Sequence, residues 1–497
     1  MSLSSASLLT LCFLTPFVFS TSIEWNSNLA CQILASKINN RVFFPGGAEY
    51  NASVFSYAYV QQQILKPSCI VKPSDSAEVA TTLKALRRSP ATQFAIRSGG
   101  HGTNGGFSNI DSGVTVDMTS IHGVDILEDG ITASIGTGAL WGDVYAVLDT
   151  HNRSLNGGRA SGVGIGGFLS GGGIGFFALQ YGFGCDAVVN MEVVLSSGDI
   201  INANATSNPA LFKALKGGQN NFGVVTRWDI TTISKGEFWG GSIVYPNSTT
   251  AKQLEAFTHW KTPENFDPSS SVEQSHVYIE PLQTFLVSNS IFYTKPREFP
   301  LNLKNYTDIQ PQISSTLRIS NATDFSYEVQ SFSTPNQSSI YATTTFRMCP
   351  TIIKKVHAIW KAYAEKLPHN ATITSSLTLQ SIPPPATDPT KLNSLGFDPA
   401  STPQKDLVLV LISNFWENPE AGAQVRGSAA DFINDVDRIA EEEGVAHKFR
   451  YMNYADADFQ QPLHTTGQLD DLRKVALEYD AIGMFQRQVT GGWKLYP

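Results

Sequence analysis

The sequence predicts an α+β fold in two parts, and three observations carry that expectation. Its 497 residues exceed what one hydrophobic core of roughly 100–200 residues organises, so at least two units are expected. Apolar residues make up 42% and charged residues 16%, the balance of an ordered globular protein. Glycine is dense from Arg97 to Gly223 and thins from Ile230 to Tyr451, where longer strand-like and helix-like segments replace short apolar runs. Strand and helix patterns in that second part do not alternate regularly, which points to an antiparallel sheet backed by helices.

The segments follow in order. Leu8 to Phe19 is almost unbroken apolar sequence before the small residues Ser20, Thr21 and Ser22. It reads as a signal peptide over residues 1–20, shorter than the ~20 apolar residues a stable membrane anchor needs. The sequons at Asn51, Asn152, Asn204, Asn247, Asn305, Asn321, Asn336 and Asn370 point the same way, to a secreted glycoprotein. Cys12 lies in the leader, which leaves Cys31, Cys69, Cys185 and Cys349. Four cysteines allow three pairings, of which Cys31–Cys69 is favoured, tying the N-terminal segment to the first part and leaving Cys185 and Cys349 as buried free thiols. A zinc site is the rival reading, but no C-x-x-C or H-E-x-x-H spacing occurs.

Asp75 and Glu78 have capping-box spacing and predict a helix at about 76–88. Short strands are expected at Phe94–Arg97, Val114–Val116 and Ile131–Ile135, then a helix from Leu140 to Leu148 in which Trp141 and Tyr145 are core residues. Asn208-Pro209 opens another helix that stops at Gly217. Later strands are expected at Ser242–Tyr245, Val277–Ile279, Ile373–Leu379 and Leu407–Phe415, with amphipathic helices at Ile352–Leu367 and Ala429–Glu443. A net charge of −8 with no basic stripe argues against nucleic acid.

The chemistry centres on two glycine loops. In Arg97-Ser98-Gly99-Gly100-His101-Gly102 a glycine turn follows a strand, so backbone amides can converge on an anion such as a pyrophosphate. The bland alternative is a flexible loop with an incidental histidine. About sixty residues on, Gly157-Gly158-Arg159-Ala160-Ser161-Gly162-Val163-Gly164-Ile165-Gly166-Gly167 is followed by Ser170-Gly171-Gly172-Gly173. Two such loops exceed the needs of one phosphate and favour a long dinucleotide between them, although the strand–turn–helix context of a Rossmann unit is missing.

These residues, with Val116-Asp117-Met118, Tyr181-Gly182, Gly217-Gly218, and Tyr451-Met452-Asn453-Tyr454-Ala455-Asp456 near the C-terminus, resemble the vanillyl-alcohol-oxidase/p-cresol-methylhydroxylase superfamily in its berberine-bridge-enzyme-like branch. The resemblance implies a two-part FAD-binding domain, residues 35–229 with the returning tail 450–497, and a substrate domain of residues 230–449 inserted between them. It implies FAD bonded covalently through His101 alone, because Ala160 stands where some relatives carry a second, cysteine linkage. Phe168 is a further departure, at a position where relatives often have histidine. Implied cofactor contacts are Arg97, Ser98, Gly99, Gly100 and Gly102 in the first loop. Gly158, Gly162, Gly164, Gly166, Gly167, Gly171 and Gly172 supply those of the second, joined by Val225 and Asn453. Val163 occupies the oxygen-gate position in its small, permissive form.

The function so implied is a secreted oxidase that moves hydride from a small organic substrate, a secondary metabolite, to flavin and then to O2, giving H2O2. No protein partner is inferred. Tyr454 is the expected base or orienting phenol, which needs a neighbouring cation that the sequence does not identify. Gln380, at a strand end, is expected to point at the substrate; Glu273 and His276 are candidates for the same wall. Open alternatives are an oligosaccharide oxidase, a flavin-scaffolded isomerase or cyclase, and a carbohydrate-binding protein without turnover.

Overall fold

The computed structural model describes residues 17–384, 388, 391–397 and 406–496. Residues 1–16 of the leader lie outside them, and among the described residues no helix is long and apolar enough to cross a membrane.

A small four-stranded sheet opens the fold, in the order Val42–Phe43, Cys69–Val71, Val114–Asp117, Phe94–Arg97. Its last three strands are parallel, and the helix Ser76–Arg87 is the crossover between Cys69–Val71 and Phe94–Arg97. That helix starts where the capping-box spacing puts it: Asp75 accepts from the Glu78 amide at 2.8 Å. The Glu78 carboxylate reaches one residue further back than expected, to the amide and hydroxyl of Ser74. Cys31 and Cys69 form a disulfide, with their Cα atoms 6.0 Å apart, fastening the helix Phe17–Lys37 to this sheet. Cys185 is a buried free thiol, but Cys349 is only half-buried, since it sits beside the exposed Pro350 and Thr351 that open the helix Pro350–Ala364, where its sulfur meets the Thr351 hydroxyl.

A second sheet, five-stranded and antiparallel, runs Val124–Ile126, Thr132–Gly136, Val224–Thr231, Val188–Val194, Ile200–Asn204. The helix Trp141–Asp149 buries Trp141 and Tyr145 in the core beside it. Asn208 does not cap the helix Pro209–Leu215; its left-handed backbone (φ 54°) turns the side chain away to donate to the Asn202 carbonyl.

The third sheet has nine strands, the longest being Phe238–Pro246, Thr284–Tyr293, Ser270–Ile279, Thr374–Ser381, Leu407–Trp416 and Ser338–Arg347 in spatial order, all antiparallel. The helices Thr250–Lys261, Pro350–Ala364 and Gly422–Glu442 bury one face of it. Period two is visible in Ser270–Ile279, where Val272, Gln274, His276 and Tyr278 are buried and Glu273, Ser275 and Val277 face the other way. Sequence reading saw only the end of that strand and missed Thr284–Tyr293 and Ser338–Arg347. Serines and threonines at many of their positions dilute the apolar alternation it relies on.

The C-terminal segment then returns to the first sheet. The Phe94 amide donates to the Gln488 carbonyl at 2.8 Å, and the Gln488 side chain donates to the carbonyls of Leu86, Ser89 and Thr92. Of the eight sequons, Asn51, Asn152, Asn247, Asn305, Asn336 and Asn370 are exposed. Asn204 and Asn321 are half-buried, with side-chain oxygens already accepting from the Ser207 and Asp324 amides.

Candidate active site

The two glycine loops touch. A Cβ on Gly99 would lie 2.6 Å from the Gly164 amide nitrogen, and one on Gly164 would lie 2.2 Å from that of Gly99, so backbone meets backbone where only glycine fits. Ser98 locks the contact, donating to the Thr137 carbonyl at 2.7 Å and accepting from the Gly166 amide at 3.1 Å. Beside the junction lies a chamber of about 690 Å³, walled on one side by these loops and on the other by the open face of the nine-stranded sheet. Gly100, Gly158, Val163, Val225 and Asn453 also line it.

Four of the expected cofactor contacts do other work. Arg97 is buried behind its loop, donating to the Ser53 carbonyl at 2.6 Å, lying 3.7 Å from Asp117 and stacking 3.9 Å over the Tyr57 ring. It props the turn and does not line the chamber. The Gly162 amide donates to Gln330, a Cβ on Gly171 would strike the Asn453 amide, and Gly172 (φ 104°) packs on Leu395. In each case the glycine makes room for protein.

A dinucleotide cofactor fits what remains. At Gly102 and Gly167 a Cβ would meet nothing within 4 Å, so the loops present bare backbone to the chamber, as a pyrophosphate requires. His101 lines the chamber with Nε2 buried and without a hydrogen-bond partner, and burial lowers its pKa, so the ring is neutral. The Tyr59 ring meets it edge-on at 5.6 Å.

A cluster of charged and polar side chains gathers in the chamber wall. Tyr454 comes from the returning tail, Arg159 from the second glycine loop and Glu273 from the sheet, and all three line the chamber. One terminal nitrogen of Arg159 lies 2.8 Å from Glu273, 3.0 Å from the Tyr454 hydroxyl and 3.0 Å from the Gln380 side-chain oxygen. Burial pushes the Tyr454 phenol up; the Arg159 charge pulls it back, and Glu273 adds to the rise. Arg159 is therefore the cation that sequence reasoning could not identify, and its signal was an arginine embedded in a glycine loop. Tyr341 was also missed: its ring stands edge-on to Tyr454 at 6.0 Å, from a strand whose pattern marked nothing.

Two expectations need correction. Gln380 does not line the chamber; it is buried behind Arg159, so it holds the guanidinium and does not point at a substrate. His276 faces away, against His357 at 4.5 Å beneath the helices, because period two puts it on the opposite face from Glu273.

The FAD binding domain family matches residues 67–204. The FAD-dependent monooxygenase sdcF of Emericella nidulans is 32% identical over 480 residues, covering 94% of this chain and 98% of that protein. The FAD-dependent monooxygenase drtC of Aspergillus calidoustus is 31% identical, covering 93% and 88%. Among solved structures, the fold is similar to that of 6-hydroxy-D-nicotine oxidase from Arthrobacter nicotinovorans (TM-score 0.74, 19% identity, 92% of this chain and 98% of that one). It is also similar to xylooligosaccharide oxidase from Myceliophthora thermophila in complex with xylobiose (TM-score 0.73, 18% identity, 94% and 99%). Loops, chamber and relatives agree: the fold is similar to that of berberine bridge enzyme (TM-score 0.74, 14% identity, 93% of this chain and 100% of that one), and the chain belongs to the family of FAD-dependent oxidoreductases that these curated relatives represent.

Proposed function

We propose that this protein is a secreted oxidase with FAD bonded to His101, and that it oxidises a small organic secondary metabolite. The observation that carries the reading is the Tyr454 phenol held 3.0 Å from Arg159 in the wall of the chamber that His101 also lines. When bound, the flavin supplies a hydride acceptor and passes the electrons to O2, giving H2O2. Arg159 stabilises the phenolate form of Tyr454, which takes the proton from the substrate O–H or C–H and becomes the neutral phenol. Gln380 and Glu273 keep the guanidinium in place for that task. Val163, small and in the chamber lining, is the proposed gate through which oxygen arrives. In this reading residues 35–229 and 450–497 form the FAD-binding domain and 230–449 the substrate domain.

Secretion is supported by the apolar leader, the Cys31–Cys69 disulfide and the exposed sequons. A metabolite is favoured over an oligosaccharide because curated relatives such as sdcF and drtC are named monooxygenases and not sugar oxidases. Those names also motivate a second reading, oxygen insertion. Isotopic oxygen distinguishes them: an oxidase releases one H2O2 per substrate with no label in the product, and a monooxygenase labels the product.

The cofactor linkage is tested by acid precipitation. Yellow colour is expected to stay in the wild-type pellet and to leave with the supernatant in His101→Ala; colour released from both proteins means that the flavin is not covalent.

A further inference from the structure

The chamber has an unusual charge plan. Among the described residues that line it, the only Asp, Glu, Lys or Arg side chains are Arg159 and Glu273, and they face each other at 2.8 Å. Arg159 is buried and Glu273 nearly so, which leaves little water to screen either charge. The rest of the sheet-side wall is hydroxylic and apolar. Ser275, Ser288, Ser376 and Thr378 alternate with Val277 and Leu286, and Tyr341 and Phe415 bring aromatic faces. Several hydroxyls are paired to one another, Ser275 with Thr378 at 2.8 Å and Ser376 with Thr378 at 3.4 Å, so they offer neutral hydrogen bonds and no net field.

We infer that Glu273 is the specificity-determining residue for substrate charge: by cancelling Arg159 it makes the reacting end of the chamber electroneutral, so the site selects uncharged aromatic substrates with hydroxyl or carbonyl groups and rejects carboxylates and amines. The inference rests on the proposal that this chamber is the substrate site. A carboxylate entering the wild-type chamber leaves its hydration and finds Arg159 already occupied. Without Glu273 the same guanidinium becomes a ready partner. The other groups facing Arg159 are Tyr454 and Gln380, both uncharged at neutral pH, and Tyr451 and Tyr341 lie beyond, also neutral. None of them can replace the missing carboxylate. The same cancellation bears on Tyr454, because Glu273 opposes the pull of Arg159 on its proton.

The test is equilibrium binding to the flavin-loaded protein at neutral pH, followed by perturbation of the flavin absorbance. The probes are benzamide, benzoate and benzylamine, alike in size and differing in charge. Wild type is expected to bind benzamide more tightly than either ion. Glu273→Gln is expected to gain affinity for benzoate by about tenfold or more, the scale of one charge-assisted hydrogen bond. Arg159→Gln should instead gain benzylamine, and the double variant should return to the wild-type order. The two single variants carry opposite signs, so one that fails to fold leaves the other decisive. A gain in either arm that vanishes in the double variant supports the inference; no gain in both arms overturns it. Turnover is read separately: Tyr454→Phe at the wild-type rate would remove Tyr454 as base, and the benzoate and benzylamine arms would still decide the charge inference.

Discussion

At the scale of single residues, position decides between chemistry and support. Tyr451 is buried and Tyr454, three residues on, is half-buried in the chamber wall; their rings meet edge-on at 4.8 Å, but only Tyr454 reaches Arg159. Tyr454→Phe is therefore expected to lower kcat by about 100-fold or more, the usual share of a general base, with KM much less affected. Steady-state kinetics on one oxidised substrate checks this, and a fall confined to KM would show that the phenol only binds. Because burial raises the Tyr454 pKa above the ordinary value near 10, the phenol is protonated in the resting enzyme at neutral pH. Activity should therefore increase as pH rises toward the alkaline range. Gly164 carries the opposite kind of role. A methyl group there would overlap the Gly99 amide, so Gly164→Ala is expected to part the loops and lower both flavin content and thermal midpoint, read from the ratio of flavin to protein absorbance.

At the scale of elements, the first sheet depends on what is fastened to it. The disulfide between Cys31 and Cys69 closes a loop of 38 residues, and its loss to paired serines should cost about 3–4 kcal/mol by loop-closure entropy. Chemical denaturation of the double-serine variant measures it; a change under ~1 kcal/mol would mean that packing of Leu34 and Ile38 holds that helix unaided. The helix Ser76–Arg87 was legible because its start signal is local, an Asp75 side chain meeting an amide three residues away. Ser338–Arg347 was illegible for the complementary reason. Its threonines at 343, 344 and 345 are all buried, and the first two donate to distant partners, the Val410 carbonyl and the Asp437 carboxylate, which no local pattern announces.

At the scale of the whole molecule, the nine-stranded sheet separates two environments. One face meets the chamber; the other holds His276 and His357 under the helices, where burial keeps both imidazoles neutral, His357 down to about 4. Their folded pKa values lie below the unfolded value near 6.5, so between those limits the unfolded chain binds more protons. Their contribution is fully present above pH about 6.5 and is lost as pH falls toward about 4, by up to ~1.4 kcal/mol per pH unit for each ring. In His357→Gln the urea midpoint should fall less steeply across that window than in wild type, and parallel curves would show that the pair does not titrate on unfolding.

The sequence by itself determined the α+β class, the FAD cofactor and the two glycine loops. Those features rest on local rules: turn glycines, cap spacing, period, and motifs whose residues lie within one loop. Tertiary structure decided which motif residues face the chamber and which prop it. It turned Arg97 and Gly171 toward protein, moved Gln380 behind Arg159, and set His276 and Glu273 on opposite faces of one strand. It also joined Arg159, Glu273 and Tyr454 from three distant stretches of chain. Sequence spacing carries no information about such meetings, because the partners are brought together only when loops, sheet and returning tail pack on one another.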